Sequence, residues 1–198
     1  MGKIYCMMGK SSSGKDTLYK MLLEDRALSL KTIVPYTTRP MRAGETDGVE
    51  YYFCDEGRLA ALEAAGKVIE LRAYHTVYGV WKYFTVDDHQ MKDANQDYLM
   101  IGTLESYRRL CDYFGKSRVI PIYIEVEDGV RLERALHRER SQKKPAYEEM
   151  CRRFLADAAD FSEQKLNEAQ ITTRFLNDDL KETEENIRNY MLQLCGRE

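Results

Sequence analysis

A parallel β-sheet flanked by helices is the fold this sequence predicts, and three observations predict it. Short apolar runs of strand character alternate with longer stretches of helical periodicity, the pattern of an α/β domain. Three of those runs, Ile4–Met8, Tyr98–Ile101 and Val119–Ile124, are nearly continuous in apolar or aromatic residues, as strands buried on both faces are. The first run leads straight into a glycine-, serine- and lysine-rich loop that opens a helix, Gly9-Lys10-Ser11-Ser12-Ser13-Gly14-Lys15-Asp16-Thr17.

In chain order, the strand candidates are Ile4–Met8, Thr32–Tyr36, Tyr98–Ile101, Val119–Glu125 and Thr172–Leu176. Helical periodicity fits Lys15–Glu24, Leu104–Tyr113, Gly129–Arg140, Tyr147–Asn167 and Leu180–Leu194 between and after them. In the last of these, Leu180, Ile187, Met191 and Leu194 form one stripe, which reads as a helix docked on the core. Residues 38–93 break the alternation with aromatics and short β-like runs at Glu50–Phe53, Val68–Leu71 and Lys82–Thr85, which reads as an insertion on one side of the sheet. A charged piece ending in proline, Glu139–Pro145, lies between two helices and reads as a mobile flap. The expected organisation is one domain: a core of about 1–36, 94–138 and 148–198, an insertion of about 37–93 and a flap of about 139–147.

Composition narrows the class. With 43% hydrophobic residues the 198-residue chain can bury a sizeable core, which excludes disorder as its main state. Thirty Lys+Arg against 33 Asp+Glu leave no basic footprint for nucleic acid. No apolar run approaches the roughly 20 residues needed to span a bilayer. The first apolar run gives way to GKSSSGKD at once, unlike a signal peptide, and Cys6 breaks the myristoylation pattern. The five cysteines, Cys6, Cys54, Cys111, Cys151 and Cys195, are at least 40 residues apart and form no CxxC pair, which points to reduced, structural thiols in a cytoplasmic protein.

The loop carries the clearest chemistry. Successive backbone N–H groups from Ser11, Ser12, Ser13 and Gly14 converge in such a loop, and the helix that follows adds partial positive charge, so the pair holds polyphosphate. Lys15 would bridge the β- and γ-phosphates of ATP. The motif asks for a hydroxyl after the lysine to ligate Mg²⁺, and here Asp16 stands there with Thr17 next, so either can serve as the metal ligand.

Downstream, Tyr36-Thr37-Thr38-Arg39-Pro40-Met41-Arg42-Ala43-Gly44-Glu45 continues through Gly48 to Tyr51-Tyr52-Phe53. Two arginines three apart and a tyrosine can converge on a phosphate monoester. The pattern TTRxxRxGExxGxxYxF after a phosphate loop resembles the guanylate kinase family, and the resemblance continues through Val68-Ile69-Glu70, Tyr78-Gly79, Arg134, Arg138, Arg153 and Asn177-Asp178-Asp179. It implies a P-loop three-layer core with an acceptor-binding insertion and a lid, transferring the ATP γ-phosphoryl to GMP or dGMP with Mg²⁺. Carried over by position, Arg39, Arg42, Tyr51, Tyr78 and Gly79 would hold the GMP phosphate, and Glu70 would accept from guanine N1–H and its amine. Lys15, Arg39, Arg134 and Arg153 would stabilise the transferring group, with Arg138 and Asn177 on the ATP side.

The chain departs from the family pattern at three places. Met100-Ile101-Gly102 stands where the family has Asp-x-Asp, Pro35 where a serine helps read the guanine oxygen, and Val80 where a hydroxyl follows Tyr78-Gly79. The Gly-Lys-Asp loop and Gly102 also resemble ribose 1,5-bisphosphate kinases of the same fold. A non-catalytic guanylate-kinase-like interaction module is the third reading, opposed by Gly14-Lys15 and the lid arginines.

Overall fold

The structure is a computed structural model, described for residues 1–42, 44–76, 79–194 and 196. The chain starts with β1 (Ile4–Met8), the phosphate loop, α1 (Lys15–Glu24) and a two-residue β2 (Lys31–Thr32). It then enters the insertion: β3 (Tyr36–Thr37), β4 (Tyr52–Phe53), α2 (Glu56–Ala64), β5 (Val68–Thr76) and β6 (Gly79–Val86). It returns through β7 (Tyr98–Ile101), α3 (Leu104–Phe114), β8 (Val119–Glu125), α4 (Asp128–Arg140), α5 (Tyr147–Asp160), α6 (Glu163–Glu168), β9 (Arg174–Leu176) and α7 (Leu180–Leu194).

The core sheet has the order β2-β7-β1-β8-β9, and every pairing in it is parallel. Its centre, β1, is buried along its whole length, as its unbroken apolar sequence requires. Alternation along β1 divides the core in two. Ile4, Cys6 and Met8 pack with Leu104 and Leu110 of α3 and with Phe161 and Leu166. Tyr5 and Met7 pack on the opposite face with Leu18 and Leu22 of α1 and with Ile187 and Met191 of α7. Helices, sheet and helices thus make three layers. Truncating a fully buried leucine such as Leu22 to alanine would cost about 2–5 kcal/mol.

The Thr32–Tyr36 run is not one strand. Ile33 still donates to Leu99 O at 3.1 Å. The side chain of Gln90 then takes both main-chain groups of Val34, accepting from its N–H at 2.7 Å and donating to its carbonyl at 3.1 Å. Pro35 has no N–H to continue a ladder, and Tyr36 begins a second sheet ordered β4-β3-β6-β5. The long helix expected over Tyr147–Asn167 is two helices. It breaks where Phe161 leaves helical geometry to bury its ring against Tyr123, 5.6 Å away, and Ser162 caps α6.

The insertion also holds a helix that sequence reasoning missed. Asp55 caps α2 by accepting from Arg58 N, and Leu59 and Leu62 pack on Phe84 and Val86. Of the expected flap, Glu139 and Arg140 complete the last turn of α4. Glu139 is buried and accepts from Ala146 N at 3.0 Å and Gln142 Nε2 at 3.1 Å, which ties both ends of the connection together.

Candidate active site

The phosphate loop is shaped by backbone conformation and clamped from behind. Ser12 (φ 63°) and Gly14 (φ 84°) take left-handed conformations. Glycine does so without strain, and a Cβ on Gly14 would also stand 2.4 Å from Asn177 Nδ2. That amide, buried just beyond β9, donates to Ser13 O at 2.7 Å. Asp157 Oδ2 accepts from Ser11 N at 2.6 Å, while Arg131 Nη1 donates to Ser11 O at 3.0 Å. Arg131 is itself buried and held by Asp128 Oδ1 at 2.6 Å. The hydroxyl oxygens of Ser12 and Ser13 are buried without a hydrogen-bond partner.

Two clefts open at the C-terminal ends of the parallel strands, where ligands bind in open α/β sheets. The first, about 430 Å³, is lined by Ser12, Gly14, Lys15, Asp16, Thr17, Arg134, Arg138, Asn177, Asp178, Asp179 and Leu180. The second, about 460 Å³, lies between the loop and the inserted sheet, and its walls include Ser11, Lys15, Pro35, Arg42, Tyr51, Arg72, Tyr74, Tyr83, Thr103 and Arg152. Lys15 lines both.

The residues expected on the ATP side therefore converge, with two exceptions. Ser11 faces the second cleft, and Ser13 is buried beneath the loop and lines neither. Arg134 Nη2 donates to Asn177 O at 3.3 Å, which orders it beside the loop. Asp16 and Thr17 are exposed oxygen donors at the mouth of the first cleft. They fit Mg²⁺, which takes one or two protein oxygens and completes its shell with water and phosphate. Among the described residues no larger cluster of metal-ligating side chains forms.

On the other side Arg42 and Tyr51 line the second cleft, whereas Arg39 does not. Arg39 is 3% exposed, donates to both oxygens of Glu45 at 2.9 and 2.7 Å, and lies over the rings of Tyr51 and Phe53. The hydrogen bonds from Arg39 hold the Glu45 pKa down to about 2. Gly79 opens β6 with φ 116° and lines neither cleft; Tyr78 lies outside the described residues. Arg153 lines neither cleft and sits 3.9 Å from Glu139 and 3.9 Å from Glu149. Its neighbour Arg152, paired to both oxygens of Glu149 at 2.7 Å, is the one on the wall.

The expected base reader is enclosed. Glu70 is buried, accepting from Arg72 Nε at 2.9 Å, from Arg72 Nη2 at 3.3 Å and from Thr85 Oγ1 at 2.8 Å, and it is not part of the cleft wall. Arg72 is. Burial works against its charge, but attraction and hydrogen bonding to Glu70, with Tyr74 adding to them, hold its pKa above the ordinary arginine value. Sequence reasoning missed Arg72, Arg131, Arg152 and Asp157. Two of these had a local signal: Arg72 stands two after Glu70 on a strand, and Arg131 three after Asp128 on a helix.

With this geometry in hand, comparison with known proteins decides the family. The guanylate kinase profile matches residues 1–194. The chain belongs to the guanylate kinase family. It is 27% identical over 200 residues to a guanylate kinase from Cupriavidus pinatubonensis, spanning 99% of this chain and 87% of that protein. A guanylate kinase from Rhodopseudomonas palustris is 39% identical over 79 residues, which cover 39% of this chain but only 36% of the relative. The crystal structure of guanylate kinase from Anaplasma phagocytophilum shares the fold, with a TM-score of 0.62 at 23% identity over 97% of this chain and 85% of that one.

Within this guanylate kinase fold the missing Asp-x-Asp has a steric correlate. A Cβ on Gly102 would come within 2.7 Å of both Cys6 Sγ and Ser106 Oγ, so a carboxylate-bearing side chain fits there only if those neighbouring side chains shift. Met100 is committed to the core. Burial, the largest influence, pushes the Cys6 thiol well above its ordinary pKa, and Cys6 is a packing residue here.

Proposed function

We propose that this chain transfers the γ-phosphoryl group of ATP to GMP and dGMP. The observation that carries the reading is Lys15, which lines two clefts of similar size at the phosphate loop. A donor phosphate chain in the first and an acceptor phosphate in the second would face each other across that one cation. In-line transfer needs little from the protein beyond position and positive charge.

Ser12, Gly14 and the start of α1 hold the donor phosphates by main-chain N–H groups and the helix dipole. Arg134 and Arg138 neutralise charge from the far wall, and Arg153 joins them if it exchanges its ion pairs with Glu139 and Glu149 for the transferring group. Arg42 and Tyr51 bind the acceptor phosphate, and Arg39 joins by sharing its guanidinium with Glu45. Mg²⁺ held by Asp16 or Thr17 would supply charge neutralisation on the donor oxygens. Such chemistry belongs in the cytoplasm, where ATP, Mg²⁺ and a reducing medium for the thiols coexist.

The test is ADP release from Mg-ATP, coupled to NADH oxidation, with GMP, dGMP, AMP and ribose 1,5-bisphosphate as parallel acceptors and Lys15→Ala as the blank. Turnover of GMP and dGMP well above that of AMP, with the sugar bisphosphate unused, supports the reading. Turnover of the sugar bisphosphate alone, or silence on all four, overturns it.

A further inference from the structure

We propose that Arg72, held by Glu70, reads the acceptor base and selects 6-oxopurines through their O6 and N7 atoms. The proposal rests on the phosphoryl-transfer reading above and names what its acceptor cleft recognises. Glu70 and Arg72 are i and i+2 on β5, so the pleat sends both to one face. Thr85 stands directly opposite Glu70 on β6 and donates to it from the far side. Glu70 is therefore enclosed, with both of its oxygens engaged and no place on the cleft wall, while Arg72 carries its charge to that wall.

A guanidinium has two bidentate edges. Glu70 takes the side edge, Nε and Nη2, at 2.9 and 3.3 Å. The end edge, Nη1 with the second hydrogen of Nη2, has Thr103 Oγ1 at 3.4 Å from Nη1, and the Tyr74 hydroxyl also interacts with the guanidinium. Both are partners that a stronger acceptor displaces. Pro35, on the same wall, brings no N–H.

The base edge that matches this wall presents two adjacent acceptors. Guanine and hypoxanthine do so with O6 and N7, the pairing arginine makes most often with guanine; adenine replaces O6 with an amine and sets donor against donor. Because Glu70 is spent on Arg72, the purine 2-amino group is left unread. The consequence is an enzyme that separates oxo from amino purines yet accepts IMP alongside GMP.

The experiment compares kcat/KM for GMP, IMP, AMP and 7-deaza-GMP in the unmodified protein, in Glu70→Gln, in Arg72→Met and in the double Glu70→Gln/Arg72→Met. The double variant removes both charges together, so no unpaired ion is left buried if the single variant fails to fold. IMP should fall within about 10-fold of GMP, and AMP and 7-deaza-GMP about 10- to 100-fold below it. Both variants lacking Arg72 should erase the preference for GMP over 7-deaza-GMP, chiefly by raising the KM for GMP. Glu70→Gln should weaken that preference without changing the GMP-to-IMP ratio.

A purely structural ion pair would lower all four acceptors together and keep the 7-deaza ratio, which would overturn the proposal. So would a preference for GMP over IMP that Glu70→Gln abolishes, because Glu70 would then be reading the base itself. Equal use of GMP and 7-deaza-GMP by the unmodified protein overturns this proposal alone, leaving the reaction intact. Absence of turnover with GMP and IMP alike overturns the reaction and this proposal with it.

Discussion

The cleft we assign to the nucleotide and the cleft we assign to the acceptor share Lys15 but are prepared in different ways. On the nucleotide side the site is largely main chain: left-handed Ser12 and Gly14, the first turn of α1, and an amide clamp from Asn177 onto Ser13 O. On the acceptor side, three arginines already carry carboxylate partners, Arg39 with Glu45, Arg72 with Glu70 and Arg152 with Glu149. Backbone donors cannot be spent elsewhere, so the first cleft is set before any ligand arrives. Paired guanidinium groups must share or exchange a carboxylate for an incoming anion, so the second cleft is set by competition between charges.

Lys15→Ala strikes both halves at once and should have the largest effect. Removing a charge aimed at the transferring group costs roughly 10²–10³-fold in kcat. Urea unfolding should be little changed, because Lys15 lines two clefts and belongs to none of the buried apolar clusters. A kcat within tenfold of the unmodified protein would remove the junction from the mechanism.

Gly14→Ala tests the backbone half alone. The left-handed conformation costs an alanine on the order of 1–2 kcal/mol, and its Cβ would also stand 2.4 Å from Asn177 Nδ2, displacing the clamp. The KM for ATP should rise at least tenfold while the KM for the acceptor holds. A parallel rise in both would mean that the two clefts are not separately prepared.

The same contrast explains what the sequence disclosed. The loop, β1 and α1 were legible because their signals are contiguous: an apolar run, a glycine, a helix start. The insertion was legible only as an interruption. Its helix α2 is short and rests on two leucines, Leu59 and Leu62, and its strands depend on partners across the sheet. Glu70 could be placed on a strand, but the partner that encloses it, Thr85, is 15 residues away. Likewise, the end of β2 turns on a side chain, Gln90, that lies 56 residues from the Val34 it satisfies. Choices among competing ion-pair partners are made by tertiary packing, so Arg39, Arg42 and Arg153 could be named as a group but not sorted into Arg42 on the wall and the other two behind it, and Arg152 was not named at all.

Glu45→Gln probes the competition between charges. With its carboxyl held at about 2 by Arg39, Glu45 binds fewer protons in the folded than in the unfolded chain as pH falls below the usual carboxylate range. Its contribution is therefore complete above about pH 4.5 and is lost as pH drops through about 2. Urea midpoints measured between pH 5 and 2 should fall more steeply for the unmodified protein than for Glu45→Gln. At neutral pH the variant should be less stable by on the order of 1–3 kcal/mol, because Arg39 stays buried with a weaker partner.

Arg152→Ala should have the smallest effect on stability and the most selective one on binding. Its pair with Glu149 sits on an exposed helix face, with Arg152 65% and Glu149 49% exposed, and such pairs contribute about 0.2–1 kcal/mol at most. Arg152 nevertheless lines the acceptor cleft from α5, opposite the inserted sheet. If the acceptor phosphate draws it away from Glu149, the acceptor KM should rise several-fold with the KM for ATP and the thermal midpoint both unchanged. Because exposed charges are screened, that rise should shrink as salt is raised from about 0.05 to 0.5 M. An acceptor KM indifferent to Arg152 at low salt would show that the wall of α5 belongs to the scaffold, and that the acceptor is gripped from the inserted sheet alone.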